Sequence, residues 1–366
     1  MYEYTVAGAN AIAFPNLSTW GWEIAMYLFL GGMVAGLMIL GGMFRLSGSL
    51  QFEASAVLSD LVGLPLLGVG MLLLFMDLSS KVNVWRLYTT FQVASPMSWG
   101  SWILLLAMAL LALRLISRLP APRPIMLFGT PLFRPIAPPP IAGGESQDVT
   151  KTSPHTDQAA RRQLVLPTDG MRKETLPKPG VIEKSWRLLR SIALYAKRWE
   201  RPQAALCIIL GIGVGFYTGV LLSSIEARPL WSSVALAPLF LVSGLASAVA
   251  FLCLFMRKEE HTQLVPLSIT ICGLELLLIL AFALTITSGS EVARHAAPIL
   301  FGGAFGALFW GIVVFVGVIA PAMLETLGLL RHSTTPLSAR LSPLMKLAGG
   351  LTLRFVVVYA GLRCFL

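Results

Sequence analysis

Eight stretches of about twenty or more predominantly apolar residues recur along the chain, and nothing else in it limits the fold so severely. They cover residues 20–44, 56–76, 96–118, 204–223, 233–256, 264–288, 298–323 and 343–365. In hydrocarbon no water satisfies backbone N–H and C=O groups, so each run closes its hydrogen bonds within itself, as a helix. No ten-residue alternation suggests a barrel. With 56% hydrophobic and 13% charged residues in 366, the chain reads as an all-α polytopic membrane protein with eight transmembrane helices.

A formal charge of +10 would suggest nucleic acid in a soluble protein, so its placement matters. Between Arg114 and Arg201 lie 16 Lys and Arg residues against 7 Asp and Glu residues. That is a positive-inside signal with affinity for anionic lipid headgroups, and it gives no reason to expect nucleic-acid binding. Arg45, Arg257, Lys258, Arg331, Arg340 and Lys346 fall after the odd-numbered spans, on the same side as that segment. The opposite side holds Lys81, Arg86, Arg228, Arg294 and Arg363, so both termini and the 77–95 loop are expected outside. Met1-Tyr2-Glu3-Tyr4 lacks the basic start of a cleaved leader, so the first run is expected to stay as a helix.

The expected organisation follows. Residues 1–118 hold spans one to three with the outer loop 77–95. Residues 119–184, with the Pro-rich run Arg134 to Pro140, read as a disordered basic cytoplasmic linker. Trp186, Leu189, Ile192, Ala193 and Ala196 at helical spacing, among Lys184, Arg187, Arg190, Lys197 and Arg198, predict a basic interfacial helix over 185–202. Residues 203–366 hold spans four to eight. A faint internal echo links Leu28 to Gly36 with Leu300 to Gly306.

Cys207, Cys253, Cys272 and Cys364 form no CxxC or CxxCH, so the chain encodes neither an iron–sulfur cluster nor covalently attached haem. His155, His261, His295 and His332 fall in loops or at span edges, where no two can clamp a haem iron, and no metal site is expected. Acids inside the spans are more informative, because each costs on the order of 2.5 kcal/mol at a helix centre unless paired or wet. Glu23, Asp77 and Glu275 qualify, and Arg354 is the one basic residue of comparable depth. They read as a proton relay or ligand site with Glu275 and Arg354 as a pair, or as a structural ion pair and wet interfacial acids. Asp60 reads as simply interfacial.

Aromatics gather toward the outer surface: Trp20, Trp22, Tyr27, Trp85, Tyr88, Phe91, Trp99, Trp102 and Trp231. Val84, Leu87, Tyr88 and Phe91 at i, i+3, i+4 and i+7 predict a short interfacial helix there. An aromatic belt accounts for some of this. It does not account for the carboxylates Glu23 and Asp77 at the level of Tyr88, Ser98 and Trp99. Flat faces plus proton donors at one depth suit a lipophilic ring that gains and loses protons, as a quinone does.

Five segments carry a resemblance: W-G-W-E-I-A-M-Y-L-F-L-G-G-M-V-A-G (20–36), D-L-S-S-K-V-N-V-W-R-L-Y (77–88), S-P-M-S-W-G-S-W (95–102), Y-T-G-V-L-L-S-S-I-E-A-R-P-L-W (217–231) and G-G-L-T-L-R-F-V-V-V-Y-A-G (349–361). Together they resemble the NrfD/PsrC family, integral membrane subunits of polysulfide reductase-like complexes. The linker 119–184 has no match in that pattern. The resemblance implies eight helices in two four-helix bundles, in a bacterial or archaeal cytoplasmic membrane. It also implies a menaquinone or other quinone bound near the outer surface, with no haem or cluster in this chain. A four-cluster ferredoxin-like iron–sulfur subunit would dock on the outer face and serve a molybdopterin or multihaem catalytic subunit. Asp77, Ser98 and Trp99 match the motif directly. Asp77 is then the first-choice general acid with Glu23 beside it, Trp22, Tyr27, Tyr88, Ser98 and Trp99 bound the ring, and Glu275 and Arg354 mark a proton path. The rival readings are a secondary transporter using the intramembrane acids and a passive anchor with no quinone site.

Overall fold

The computed structural model describes residues 21–78, 81–89, 91–92, 95–118, 126–127, 130–131, 191–192, 195–224, 228, 230–289, 291–303, 305–331 and 336–363. Eight helical spans among them are long and apolar enough to cross a membrane, and the chain is an all-α multi-pass membrane protein. Helix α1 (Trp22–Ser47) carries Glu23 in its first turn and Arg45 in its last, the signs its dipole favours at each end. It closes on Gly48, whose φ of 64° is a left-handed conformation that glycine adopts without strain. Helix α2 (Glu53–Asp77) returns antiparallel, so Asp77 comes back to the end where Glu23 begins. A one-turn helix α3 (Arg86–Thr89) leads to α4 (Pro96–Ile116), which opens on a proline whose missing N–H is no loss in a first turn.

Then follow α5 (Glu200–Ser223), α6 (Leu236–Phe255), α7 (Lys258–Thr287) and α8 (Glu291–Phe301). The seventh span is a π-helical stretch, Leu308–Ile319, continued by α9 (Ala320–Leu330), and α10 (Pro336–Arg363) is the eighth. Helix α1 is the centre, with 94% of its apolar window buried, and packs against α2, α5, α6 and α10. Helix α4 touches α2 and α5. Helix α6 touches α5, α7 and α10, and the π-helical stretch lies along α10.

Between lipid-soluble helices burial adds little, and close packing of small residues holds neighbours together. The α1–α6 crossing shows this: a Cβ on Gly244 would come within 2.7 Å of the Gly32 carbonyl carbon, and one on Gly36 within 2.7 Å of the Gly244 oxygen. Gly244→Leu is therefore expected to push the two helices apart and abolish the folded form in detergent, read as loss of the monodisperse peak in size-exclusion chromatography. Leu40→Met, at a buried position of similar volume, is expected to cost under about 1.5 kcal/mol.

Five expectations need correction. The span expected over 298–323 is two objects, because Gly302 and Gly303 break the helix after Phe301 and the crossing starts at Leu308. That break also removes the echo, since Leu28 to Gly36 is mid-helix while Leu300 to Gly306 spans a turn. The short interfacial helix is only the single turn of α3; Phe91 lies outside it, beyond β-branched Thr89, whose hydroxyl bonds back to the Trp85 carbonyl at 3.3 Å. Trp231 is no belt residue: it is fully buried and donates from Nε1 to the Val357 carbonyl at 2.9 Å.

Asp60 is not a wet interfacial acid either. It is 1% exposed, and its carboxylate meets Arg114 at 2.9 Å, Arg45 at 3.4 Å and Arg118 at 3.7 Å. Arg45 also pairs with Glu200, so α1, α2, α4 and α5 are tied together at the end opposite Asp77. The segment 119–194 forms a separate unit, in which Met126 pairs with Pro131 and Leu127 with Thr130 as an antiparallel two-residue ladder. Most of the expected linker lies outside the described residues; of the helix expected over 185–202, residues 191–192 and 195–202 are described and all but Trp199 are helical.

Candidate functional site

At the Asp77 end, antiparallel α1 and α2 bring two acids together from residues 54 positions apart. Asp77, in the last turn of α2, lies close enough to Glu23 for their charges to act on each other, and both are half-buried. Tyr27 follows Glu23 by one helical turn on the same face of α1 and is 1% exposed. Helix α2 makes room for its ring with Gly70, where a Cβ would lie 3.6 Å from Tyr27 Cδ2. The Tyr27 phenol faces that of Tyr217 on α5, with Tyr88 close to both. Its oxygen is buried with no well-formed hydrogen bond among the described residues.

The aromatic wall comes from the start of α4. Trp99 meets Tyr217 edge-on with ring centroids 5.7 Å apart, and Trp102 meets Tyr88 edge-on at 6.4 Å. Gly100 lets the Tyr217 ring lie directly against the α4 backbone, where any side chain would collide with it. Ser98 is buried, and its hydroxyl accepts from the Gln92 N–H at 3.0 Å, so it latches the loop leading into α4. One end of the bundle therefore holds two carboxyls, three phenols and two indoles, supplied by α1, α2, α3, α4 and α5.

The structure thus brings together Glu23, Asp77, Tyr27, Tyr88 and Trp99. Trp22 stands apart, 52% exposed at the rim. Tyr217 was missed as a site residue because it sits inside an apolar run. Its phenol oxygen in that run, together with its place in the 217–231 segment, was the available signal.

Glu275 and Arg354 belong to a second polar locus, deeper and in the other half of the chain. Both are buried, at 4% and 0% exposure, yet no ion pair among the described residues joins them. Ser243 stands between: its hydroxyl accepts from Arg354 Nη1 and lies against the Glu275 carboxyl. Arg354 also donates to the Phe240 carbonyl at 2.9 Å and the Gly350 carbonyl at 3.1 Å, with its guanidinium over the Phe240 ring. Glu275 and Arg354 lie close enough for their charges to act on each other, with Ser243 between them and main-chain carbonyls of α6 and α10 taking the rest of the guanidinium. His261 lies in the first turn of α7, at the span edge where it was expected, and is buried there; no group of His, Cys, Asp and Glu among the described residues could hold a metal ion.

Eight apolar helices with acids and phenols gathered at one end define an integral membrane protein with a polar site at one membrane face. A family profile described as "Polysulphide reductase, NrfD" matches residues 11–132 and 164–365. The chain belongs to the NrfD family. It is 27% identical over 364 residues to Protein NrfD of Escherichia coli (strain K12), covering 96% of this chain and 97% of that one. It is 27% identical over 367 residues to the C chain of polysulfide reductase from Wolinella succinogenes, covering 94% and 95%. To the Protein NrfD homolog of Haemophilus influenzae it is 24% identical over 366 residues, covering 95% of both. Between its two matched stretches the profile passes over residues 133–163, which hold the Pro-rich run, so the internal segment without a family counterpart is shorter than the sequence pattern suggests.

Proposed function

We propose that this protein is the quinone-reactive membrane subunit of a multi-subunit respiratory oxidoreductase. The observation that carries the reading is the meeting of Glu23 and Asp77 beside the buried Tyr27–Tyr217 phenols and the Trp99 ring, at one end of the bundle. The residues fit a quinone in three respects: flat aromatic faces, buried phenol hydroxyls able to donate to a carbonyl, and carboxyls that take or give protons. A bound quinone supplies two-electron, two-proton redox chemistry. What the protein adds is position and protons. Trp99 and Tyr217 would form one wall, the Tyr27 hydroxyl would donate a hydrogen bond, and Asp77 would exchange a proton at the ring oxygen with Glu23 as its neighbour. Ser98 serves the site by holding the loop in place, and Trp22 stands at its mouth.

On this reading the Asp77 end faces outward in a bacterial or archaeal cytoplasmic membrane, since the opposite end carries Arg45, Arg114, Arg118 and Arg201. A four-cluster iron–sulfur subunit would dock over the α3 loop, where Val82 is 87% exposed beside exposed Trp85 and Phe91. A molybdopterin or multihaem subunit beyond it would hold the substrate site. The Wolinella succinogenes relative is named as one chain of polysulfide reductase, in keeping with such an assembly.

The test is isolation of the native complex in mild detergent, with solvent extraction of quinone and mass spectrometry of its subunits. The expected result is a quinone retained in stoichiometric amount together with a cysteine-rich partner. A complex that turns over fully yet keeps no quinone at this subunit would make the protein a passive anchor.

A further inference from the structure

Helix packing in the second half leaves a groove of about 360 Å³ between α7 and the seventh span. Helix α7 supplies Gly273 and Leu276 to its wall, the π-helical stretch supplies Val318, and α9 supplies Ala322, Met323 and Leu327. Gly273 is what keeps it open. A Cβ there would meet no atom within 4 Å, whereas on Gly36 or Gly244 a Cβ would collide with the neighbouring helix. Glycine weakens a helix interior relative to alanine, and at this position no close helix contact requires it. What its missing side chain preserves is the space.

The wall presents hydrocarbon. Thr326, which also lines it, turns its hydroxyl to the Ala322 carbonyl of its own helix at 2.7 Å, and Cys272 is buried. Such a wall suits an alkyl chain and gives a polar ligand or a quinone ring nothing to bond. At roughly 30 Å³ for each methylene-sized group, the groove has room for about twelve. It is a poor seat for another helix, which is about 10–12 Å across and packs on rows of small residues. Beside Gly273 and Ala322 stand the half-exposed side chains of Leu276, Met323 and Leu327.

The groove also has a charged end. On α9 its lining falls at 322–323 and 326–327, and the next pair in that register is Leu330 and Arg331, both exposed. Arg331 closes the seventh span on the side that holds Arg45, the side expected to face the cytoplasm. The ends of α7, α9 and α10 there carry Arg257, Lys258, Arg331 and Arg340 against Glu259 and Glu260. That positive balance faces the leaflet in which anionic headgroups concentrate. From Val318 to Arg331 the helix rises roughly 20 Å. One leaflet with its headgroups, half of about 40–45 Å, has the same depth.

We propose that this groove is a specific site for an anionic phospholipid of the inner leaflet, with one acyl chain lying over Gly273 and the headgroup phosphate on Arg331. The chain fills the volume that Gly273 leaves open, and the guanidinium selects the charge. The site does not depend on the quinone reading, because it uses no residue of the Asp77 end.

The test is native mass spectrometry of the full-length protein in mild detergent, titrated with phosphatidylglycerol or with phosphatidylcholine of identical chains. The expected result is one tightly held phosphatidylglycerol per chain. Gly273→Leu, whose side chain fills the groove, is expected to lower that occupancy by at least about 10-fold, by displacing a few buried methylenes, with elution unchanged. Arg331→Gln is expected to lower the preference for phosphatidylglycerol over phosphatidylcholine roughly 5-fold, the contribution of one cation at the membrane surface. Phosphatidylglycerol with a diazirine in its acyl chain, in vesicles holding the native complex, is expected to label residues 273–276 and 318–327, and excess unlabelled phosphatidylglycerol to suppress the label. Full occupancy in folded Gly273→Leu, or labelling that the unlabelled lipid does not suppress, overturns the proposal. So does a dimer that Gly273→Leu breaks, or a label seen in the isolated chain and lost in the complex, since either makes the occupant a protein. Should Gly273→Leu fail to fold, Arg331→Gln, at an exposed helix end, decides alone, and an unchanged preference overturns the proposal. None of these results touches Asp77 or the quinone, so this inference and the proposed function can fail separately.

Discussion

Asp77→Asn is expected to lower quinol-linked turnover of the assembled complex by about 100-fold, the lower end of what a positioned proton-transfer group contributes. Asparagine keeps the shape and hydrogen-bonding reach of the side chain but cannot exchange a proton, and Asp77 is only half-buried at the very end of α2, so folding is expected to be spared. Glu23→Gln removes the neighbouring carboxyl and is expected to have a smaller effect in the same direction, because Asp77 retains its own proton. The measurement is turnover with a soluble quinol on one preparation and subunit composition on the same preparation. Near-normal turnover in Asp77→Asn with the complex intact would remove Asp77 from the proton chemistry.

A second large effect is expected at the other end of the bundle, and on folding alone. Asp60→Ala strips the counter-charge from Arg114, which is 3% exposed and whose Nη1 has no partner among the described residues, and from Arg45. Removing one partner of a buried pair leaves an uncompensated charge and costs about 3–5 kcal/mol. In a cluster tying α1, α2, α4 and α5 together, that is expected to lower the thermal unfolding temperature in detergent markedly. Arg118→Ala, at 3.7 Å from Asp60 and with a side chain 21% exposed, is expected to matter far less. Equal losses in the two variants would mean that the pairing is not what holds this end.

Architecture was legible because membrane spans declare themselves by length and apolar content; all eight were found, most ends displaced by no more than seven residues and the start of the seventh by ten. There the pair Gly302–Gly303 ends a helix, but in a membrane sequence glycines equally mark tight helix contacts, as Gly32, Gly36 and Gly244 do. The two are indistinguishable without the backbone. The acids and aromatics at the Asp77 end were legible for a similar reason: hairpin topology alone returns the end of span two to the start of span one.

Residues whose meaning depends on a distant partner were not legible. Arg45, Asp60, Arg114 and Glu200 all sit near span ends, where the positive-inside pattern explains any arginine and water explains any acid. Only the packing brings Glu200 to Arg45, 155 residues away. Lys346 was counted as a loop charge for the same reason, although α10 begins ten residues before it. The serine between Glu275 and Arg354 was equally out of sight, since serine is common in packed membrane helices and carries no charge to draw notice.

The central claim is that the Asp77 end holds a quinone. Photoaffinity labelling of the native complex with an azido-menaquinone analogue, followed by peptide mass spectrometry, tests it most directly. The account predicts labels confined to residues 22–27, 77–102 and the neighbourhood of Tyr217, suppressed by excess unlabelled quinone. Saturable labelling elsewhere in the bundle, or none in this protein, would contradict it.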